Sequence, residues 1–342
     1  NTLVETPSNL PMARGNLLHE AAEIYVADRS VIDDNQEAVL DAMCELLDPY
    51  LDTAKRDVER TKLEVGLLAI SRYLTEHPPT EATYETYSTR DRDNELAERL
   101  GVPFDSPLTE RWFASESVGL HGFVDLLHSP ETVIDYKTGT SSKDSPSDLL
   151  AAAAIDPVAE KPNFQALAYL AKHREEQPDS RLEINFVHLL HELDAAIAGN
   201  PPTPEELVST ITYVPLTFSE FVASEDTFEQ LTDYADSNDR CKVLDSLGYE
   251  RYREFFQTHE LPPVDDDPPQ REATIEAFTE LTKSTVGDYK YVTNGCAKIF
   301  GDLETTPTGY VLQSDLDAFE AFVDEQLTAL SEYHTDRFPV AY

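Results

Sequence analysis

A β-hairpin is predicted by the stretch Gly122-Phe-Val-Asp125-Leu-Leu-His-Ser-Pro-Glu-Thr-Val-Ile-Asp135-Tyr-Lys137-Thr-Gly139. Residues 123–127 and 132–136 are apolar, partly β-branched runs, and the four residues between them have the composition of a tight connection. Because successive side chains of a strand point to opposite faces, Asp135 and Lys137 are predicted to share a face. The hairpin therefore holds an acid and an amine side by side.

Asp125 lies on the partner strand of the hairpin and supplies a second carboxylate beside Asp135. Two converging carboxylates favour a divalent cation, and Mg²⁺ suits them because it takes oxygen ligands and usually keeps several waters and substrate phosphates. Beside such an ion, Lys137 can orient or deprotonate a water, or stabilise charge on a phosphate oxygen. These parts describe phosphodiester hydrolysis. The simpler alternative is an exposed ion pair between Asp135 and Lys137, worth at most about 1 kcal/mol.

The hairpin sequence resembles the catalytic hairpin of the RecB-type nucleases in the PD-(D/E)xK superfamily. That motif reads G-x-(I/V)-D, a spacer and (I/V)-(I/V)-D-(Y/F)-K-T-G, and this chain has Gly-Phe-Val-Asp and Val-Ile-Asp-Tyr-Lys-Thr-Gly. The resemblance implies an α/β fold with a restriction-endonuclease-like core, a mixed sheet flanked by helices, and additional helices. It also implies a deoxyribonuclease that depends on Mg²⁺ or Mn²⁺. The implied catalytic residues are Asp125, Asp135 and Lys137, and the implied metal-binding residues are His19, Asp125, Asp135 and Tyr136.

A second motif, Arg14-Gly15-x-x-x-His19-Glu20, lies on a predicted amphipathic helix near the start of the chain. Apolar residues at helical spacing surround His19, and a histidine in such a position is ordinarily a core residue. The motif also resembles the first motif of the RecB-type family, in which the histidine is a metal ligand. Glu20 is expected to face solvent or to support the fold.

A third motif, Gln165-x-x-x-Tyr169, lies on a predicted helix that follows the hairpin. The four-residue spacing places both side chains on one helix face, and two incidental polar positions are the simpler explanation. The pair resembles the third RecB-type motif, which supports the site and contacts nucleic acid. Gln165 and Tyr169 are therefore the implied substrate-binding residues. The resemblance as a whole covers roughly residues 12–27 and 108–220.

The rest of the chain is predicted to place helices and strands around these motifs. Strands are predicted at residues 83–89, 110–118, 181–190 and 208–216, and helices at 90–100, 217–234, 247–258, 271–283 and 315–333, with two more helices within 36–76. Residues 289–299 are predicted to form a hairpin or a loop. Glu116, on the strand before the hairpin, is a further candidate to approach the metal. The predicted domains are a nuclease core over residues 1–235, with a helical insertion at about 36–100, and a mainly helical elaboration over 236–342 packed on the core.

The sequence is strongly acidic, with 26 Lys and Arg residues against 66 Asp and Glu residues and a formal net charge of −40. This composition resembles that of proteins from extreme halophiles, whose dense surface carboxylates stay hydrated in molar salt. A DNA-mimicking or broadly acidic protein from an ordinary cell is the alternative. Such a charge opposes DNA binding through basic patches, but at about 1 M salt the Debye length is only roughly 3 Å. Metal bridging and short-range contacts would then carry the affinity for DNA.

Cysteine content and hydropathy bear on the cofactor and the location. Cys44, Cys241 and Cys296 stand far apart with no C-x-x-C pair, and they are predicted to be buried free thiols in a reducing compartment. Related nucleases that hold an iron–sulfur cluster use four cysteines, so no such cluster is expected here. No run approaches the roughly 18 apolar residues that a membrane helix needs, and we expect a cytoplasmic protein without membrane contact.

The sequence leaves three functions open. The first is a metal-dependent DNA nuclease, by the resemblance an exonuclease, that acts in DNA repair, recombination or CRISPR-type processing. Its partners would be DNA and a helicase or another repair or CRISPR protein. The second is a non-catalytic, nuclease-like structural module of a DNA-processing complex, against which the complete set of Asp125, Asp135 and Lys137 argues. The third is a hydrolase of another phosphorylated substrate, which shares the metal chemistry.

The acidic composition predicts that the folded state loses stability when KCl falls from molar concentration to about 0.1 M. The Debye length grows to roughly 10 Å at the lower concentration, so surface carboxylates repel one another over a longer range. Thermal unfolding followed by circular dichroism measures the effect, and the melting temperature is expected to fall as KCl is diluted. A melting temperature independent of KCl would contradict the halophilic interpretation.

Overall fold

The computed structural model describes residues 9–51, 55–80, 87–88, 93–139, 163–229, 232, 244, 247–262, 267–286 and 309–337. The chain divides into two compact units. The first comprises residues 1–153 and 163–212, and the second comprises residues 154–162 and 213–342. The predicted nuclease core and helical elaboration, divided at residue 235, stay predictions.

The first unit is built from helices and a sheet. The helices among its described residues are α1 (Leu10–Ala27), α2 (Ser30–Asp33), α3 (Gln36–Leu47), α4 (Arg56–Glu76), α5 (Glu95–Leu100), α6 (Phe164–Glu176) and α7 (Leu193–Ile197). The strands are β1 (Thr109–Ala114), β2 (His121–Ser129), β3 (Thr132–Lys137), β4 (Leu182–His188) and β5 (Val208–Tyr213), of which the last residue of β5 belongs to the second unit. A mixed sheet flanked by helices is the fold class that the sequence predicts.

The strands lie in the order β1-β2-β3-β4-β5. β1 pairs antiparallel with β2 in a register that places Trp112 opposite Phe123. β2 and β3 form the predicted antiparallel hairpin, and β3 pairs parallel with β4, with Asp135 opposite Phe186. β4 is interior and its last three residues are buried, which confirms the central strand predicted from its continuous apolar run.

A hydrophobic core packs one face of the hairpin against α1, α3, α4 and α5. The hairpin contributes Leu126, Ile134 and Tyr136 to this core, as the alternation of side chains predicts. Leu18 of α1 is completely buried there, and burial of one such side chain is worth about 1.5–3 kcal/mol. α1 begins where the Asn9 side chain accepts a hydrogen bond from the Met12 N–H at 3.1 Å. The position of α1 therefore follows from its apolar face and its N-terminal cap.

Two glycines allow α1 to approach its neighbours closely. A Cβ atom on Gly15 of α1 would lie 2.8 Å from Thr138 Oγ1, in the segment that follows β3. A Cβ atom on Gly66 of α4 would lie 2.5 Å from Leu18 Cδ2 of α1. Both distances are shorter than ordinary van der Waals contacts, so the glycines permit this packing.

A buried ion pair fixes α1 against α4. Arg14 Nη1 lies 2.8 Å from Glu59 Oε2, and the other carboxylate oxygen of Glu59 lies 2.6 Å from Lys62 Nζ. Burial raises the pKa of Glu59, but hydrogen bonds from Lys62 and Arg14 lower it below its ordinary value. Arg14 and Gly15 of the second motif thus set the position of α1, and His19 follows one turn later.

Glu20, the last residue of the second motif, supports the fold. Its Oε2 accepts a hydrogen bond from the Leu96 N–H at 2.9 Å, in the first turn of α5. The expectation that it faces solvent or supports the fold is met by this contact.

The second unit is helical in most of its described residues. Its elements are α8 (Phe218–Val222), α9 (Tyr249–Thr258), α10 (Pro268–Val286), β6 (Tyr310–Val311) and α11 (Gln313–Arg337). Tyr252, Phe255, Phe256 and Phe278 form the centre of an aromatic core. Across the described residues of both units, no helix has the length and apolar character needed to span a membrane.

The structure differs from the sequence-based expectations at several element ends. β1 stops at Ala114 although the prediction continued to residue 118, because residues 116–118 form a turn. The Glu175 carboxylate holds this turn by accepting hydrogen bonds from the Ser115 hydroxyl and the Ser117 N–H, both at 2.6 Å. The helix predicted over 217–234 is interrupted at residues 223–224.

Some predictions fall partly or wholly outside the described residues. Of the strand predicted over 83–89, Tyr87 and Ser88 are described, and Ser88 forms a bridge with Trp112. Of the helix predicted over 90–100, residues 95–100 are helical. Cys44 is a buried free thiol as predicted, whereas Cys241, Cys296 and residues 289–299 lie outside the described residues.

Gly15→Ala is expected to destabilise the fold, although the same change in a helix interior ordinarily stabilises by about 0.5–1 kcal/mol. The reason is the new Cβ atom, which would lie 2.8 Å from Thr138 Oγ1. Removal of this oxygen by Thr138→Ala should make Gly15→Ala stabilising in the double variant. Urea unfolding of the parent, the two single variants and the double variant measures both effects. If Gly15→Ala stabilises the protein while Thr138 is present, the close approach of α1 to Thr138 does not require a glycine.

Candidate active site

The Asp125 carboxylate accepts a main-chain hydrogen bond where β2 meets β3. The antiparallel register of these strands pairs Leu126 with Ile134, so Asp125, one residue before Leu126, lies opposite Asp135, one residue after Ile134. There the Asp125 Oδ2 accepts a hydrogen bond from the Tyr136 backbone N–H at 2.7 Å. The carboxylate is thereby held at the junction of the two strands.

The Asp135 carboxylate is the centre of a hydrogen-bonded network. Its Oδ1 lies 2.5 Å from Lys137 Nζ, which confirms that the two side chains lie on the same side of β3. Its Oδ2 accepts a hydrogen bond from Gln165 Nε2 and lies 3.3 Å from the Tyr169 hydroxyl. Gln165 Oε1 accepts a hydrogen bond from Lys137 Nζ at 2.8 Å. Gln165 therefore bridges the acid and the amine.

α6 presents Gln165 and Tyr169 on one face, as their spacing predicts. The helix begins after Asn163, whose side chain accepts a hydrogen bond from the Ala166 N–H at 3.1 Å. Gln165 Nε2 donates to the Tyr169 hydroxyl at 2.8 Å, and this hydroxyl donates to the Phe123 carbonyl of β2 at 2.8 Å. These contacts support the Asp135 and Lys137 side chains, and contact of the pair with nucleic acid stays a prediction.

The two carboxylates have pKa shifts of opposite sign. Burial and the neighbouring Asp125 carboxylate raise the pKa of Asp135 to about 6, although Lys137 lowers it. Burial raises the pKa of Asp125 as well, but His19, the Tyr136 N–H and Lys137 together bring it below its ordinary value. Neighbouring groups whose environments push their pKa values apart are typical of functional sites.

His19 reaches the same end of the sheet from α1. Its Nε2 lies 3.0 Å from the Tyr136 carbonyl oxygen, and its Nδ1 lies 3.5 Å from Asp125 Oδ2. Since a carbonyl oxygen only accepts hydrogen bonds, Nε2 carries the hydrogen, and the lone pair of the neutral ring is on Nδ1 beside Asp125. Burial lowers the pKa of His19, but the surrounding carboxylates, foremost Asp125, raise it to about 9.

Glu110 is a further candidate site residue, and the sequence reasoning missed it. His19, Glu110 and Asp125 each offer one ligand atom, and these atoms all lie within 4.8 Å of one another. Glu110 has a φ of 48°, a left-handed conformation that is uncommon for residues other than glycine. Residues held in such conformations cluster at functional sites.

The register of β1 and β2 explains why Glu110 and not Glu116 joins the site. Thr109 lies opposite Leu126 and Arg111 opposite Val124, so Glu110 is at the level of Asp125. Glu116 is exposed in the turn that follows β1. The sequence contains both acids, but the strand register that selects one of them is fixed only by the folded sheet.

A family model of the PD-(D/E)XK nuclease superfamily matches residues 3–291. The chain belongs to the PD-(D/E)XK nuclease superfamily. No curated protein and no solved structure gives a significant match to the chain. The matched range includes α1, the hairpin and α6, which carry the three motifs.

Nucleases of this superfamily generally use divalent metal ions such as Mg²⁺. The donors of the site fit such an ion, because Glu110 and Asp125 offer carboxylate oxygens and His19 adds an imidazole nitrogen. A hydrogen bond from the second ring nitrogen of His19 to the Tyr136 carbonyl is the kind of contact that orients a ligating histidine. The two oxygens of Asp135 contact Lys137 and α6, so its direct ligation, like that of Tyr136, stays a prediction.

Metal binding at His19 is expected to be linked to proton release. A metal ion binds only the unprotonated ring, and the pKa of His19 is raised to about 9. The affinity for Mn²⁺ should therefore rise between about pH 7 and about pH 9 and level off at higher pH. His19→Ala should remove this rise and weaken Mn²⁺ binding more than Mg²⁺ binding, because imidazole favours transition metals. Titration calorimetry at several pH values measures both effects.

His259→Ala is the matched control for this experiment. His259 is an exposed histidine that stacks on Phe255, so its removal should leave Mn²⁺ affinity and its pH dependence unchanged. Unchanged Mn²⁺ affinity in a folded His19→Ala variant would make His19 a packing residue.

Proposed function

We propose that this protein is a metal-dependent DNA nuclease that hydrolyses phosphodiester bonds, with Asp125, Asp135 and Lys137 as its catalytic residues. The observation that supports the proposal best is the 2.5 Å contact of Lys137 Nζ with Asp135 Oδ1, next to the Asp125 carboxylate. Phosphodiester hydrolysis needs a bound cation, a positioned water and a positive group where charge develops. The residues of the site offer a group for each requirement.

In this proposal, His19, Glu110 and Asp125 hold the metal ion, and Asp135 and Tyr136 are the remaining metal-binding residues. When bound, a divalent ion neutralises phosphate charge and lowers the pKa of water. The protein's own task is to keep three carboxylates close together, which it does through the partly buried hydrogen bonds of Asp125 and Asp135. Mn²⁺ should serve at least as well as Mg²⁺, because His19 supplies nitrogen.

Lys137 acts on the reacting oxygens. An ammonium group has three N–H donors, and two of them are directed at Asp135 Oδ1 and Gln165 Oε1. We assign the third to the attacking water or to a phosphate oxygen. The Phe186 ring centroid lies 4.8 Å from Nζ and restricts the lysine further. The amine is thus oriented before substrate binds, which lowers the entropy lost on the way to the transition state.

Gln165 and Tyr169 position the catalytic groups in this proposal. Gln165 fixes the distance between the Asp135 carboxylate and the Lys137 ammonium by contacting both. Tyr169 ties this network to the β2 backbone through the Phe123 carbonyl. A loss of either side chain would leave the catalytic groups present but less well oriented. Direct contact of Gln165 with the substrate is part of the same proposal.

The chemistry of the site argues against a purely structural module. A structural role gives no reason to gather Glu110, Asp125 and Asp135, because converging carboxylates repel one another. A hydrolase of another phosphorylated substrate would use the same groups, and substrate assays distinguish it.

We further propose that the enzyme is a RecB-type exonuclease that acts in DNA repair, recombination or CRISPR-type processing. In this proposal it works in the cytoplasm of a halophile. The resemblance of the His19 helix and the hairpin to RecB-type motifs supports this assignment. Duplex unwinding would be supplied by a helicase partner.

Asp125→Ala, Asp135→Ala and Lys137→Ala are each expected to lower the rate of DNA cleavage by at least about 100-fold. The assay uses end-labelled single- and double-stranded DNA in molar KCl with Mg²⁺ or Mn²⁺. An exonuclease releases labelled mononucleotides or short products from the start, whereas an endonuclease gives internal fragments. Circular dichroism establishes that each variant is folded.

Lys172→Ala is the matched control for Lys137→Ala. Lys172 lies on α6, two turns beyond Gln165. It is also a partly buried, ion-paired lysine, and its Nζ lies 2.5 Å from Glu176 Oε1. Its removal should leave the cleavage rate unchanged. Parental activity in all three site variants would refute the proposed nuclease site.

A further inference from the structure

Three aromatic rings lie together on β1 and β2. The ring centroid of Trp112 lies 4.7 Å from that of His121 and 5.1 Å from that of Phe123. Phe123 is 37% exposed, and His121 is exposed as well. Trp112 is half-buried beside them. Large aromatic side chains are ordinarily buried, so a cluster of rings with two exposed members on a sheet indicates a ligand surface. We call Trp112, His121 and Phe123 the aromatic platform.

The aromatic platform continues directly from the candidate active site. Trp112 follows Glu110 by two residues on β1, and Phe123 precedes Asp125 by two residues on β2. A strand rises about 3.3 Å per residue, so the platform begins about 7 Å from the metal-binding carboxylates. The Phe123 carbonyl also accepts the hydrogen bond from Tyr169, which links it to the catalytic network.

The composition of the chain favours stacking as the source of affinity for nucleic acid. With 26 basic and 66 acidic residues, the protein has few cations for phosphate contacts, and such contacts weaken as salt rises. Stacking of a base on an aromatic ring needs no charge and tolerates any base sequence. In a duplex the faces of each base are covered by its neighbours, so a stacking surface selects unpaired bases.

We propose that Trp112, His121 and Phe123 form a base-stacking site for unpaired nucleotides of DNA. The site holds the single strand next to the bond that is cut, and it gives the enzyme a preference for single-stranded DNA. This inference rests on the proposed nuclease function and adds the binding residues and the form of the substrate. Stacking energy replaces the phosphate contacts that the acidic surface cannot provide.

Trp112 is the only tryptophan of the chain, so tryptophan fluorescence reports directly on the aromatic platform. The experiment titrates the full chain with oligo(dT) of about 20 nucleotides in molar KCl and EDTA, where metal-dependent cleavage is absent. Saturable quenching of the fluorescence is expected with the single strand. The oligo(dT) duplex with oligo(dA) should bind about tenfold more weakly or not at all.

Phe123→Ala should weaken oligo(dT) binding about tenfold, as measured by fluorescence anisotropy of the labelled oligonucleotide. Phe123→Tyr keeps an aromatic ring and should retain the parental affinity. His121→Ala is a second variant at an exposed position, where removal of the ring leaves the core intact. Tyr50→Ala is the control, because Tyr50 is an aromatic residue of similar exposure, 42%, located in the short 3-10 helix after α3.

The inference is overturned if Phe123→Ala and His121→Ala both bind oligo(dT) as tightly as the parent. It is also overturned if single strand and duplex bind equally, or if the parent binds neither. Failure of the proposed nuclease function has a different signature, since it would appear as absence of cleavage in Mg²⁺ and Mn²⁺ by a protein that still binds and quenches.

Discussion

The hydrogen bond from the Tyr136 N–H to the Asp125 carboxylate is the interaction on which the site depends. A buried N–H without an acceptor costs about 1–3 kcal/mol, so the carboxylate completes the strand junction as well as serving the chemistry. Tyr136 is held in turn by the pairing of β3 with β4, where it lies opposite Val187, and by the core that contains its ring. Asp125 is therefore positioned by a residue that the interior of the sheet and the core both hold.

The gathering of like charges is the second constraint on the site. The raised pKa of Asp135 means that its ionisation costs folding stability as the pH rises from 3.8 to about 6. His19 acts in the opposite sense, because its raised pKa stabilises the fold at low pH and this contribution is lost between 6.5 and about 9. At neutral pH, without a metal ion, the site thus combines an Asp135 carboxylate whose negative charge costs stability with a protonated His19 ring. A divalent ion would replace the imidazole proton and offset the repulsion, so the same arrangement that costs stability favours metal binding.

The sequence predicted the parts of the site that depend on local periodicity. Alternation along β3 placed Asp135 beside Lys137, and the four-residue spacing placed Gln165 with Tyr169 on α6. The sequence could not predict that Glu110 joins the site. Its position beside Asp125 depends on the pairing of β1 with β2 and on a left-handed backbone conformation that no local sequence pattern indicates. The prediction for β1 ran four residues too far for a similar reason, since the turn after it is held by a carboxylate from α6.

In the proposed function, substrate binding and catalysis depend on different groups. The aromatic platform binds the bases, and the partly buried polar groups of the site carry the chemistry. Contacts within the site, such as that of Lys137 with Asp135, are at hydrogen-bond distance and partly buried, so molar salt screens them little. Long-range attraction between a basic surface and DNA is lost under the same conditions, whereas stacking and metal bridging are retained. In the proposed function, a nuclease with a net charge of −40 gains most from short-range contacts with the bases, and the exposed Phe123 ring, two residues from Asp125, is positioned to make them.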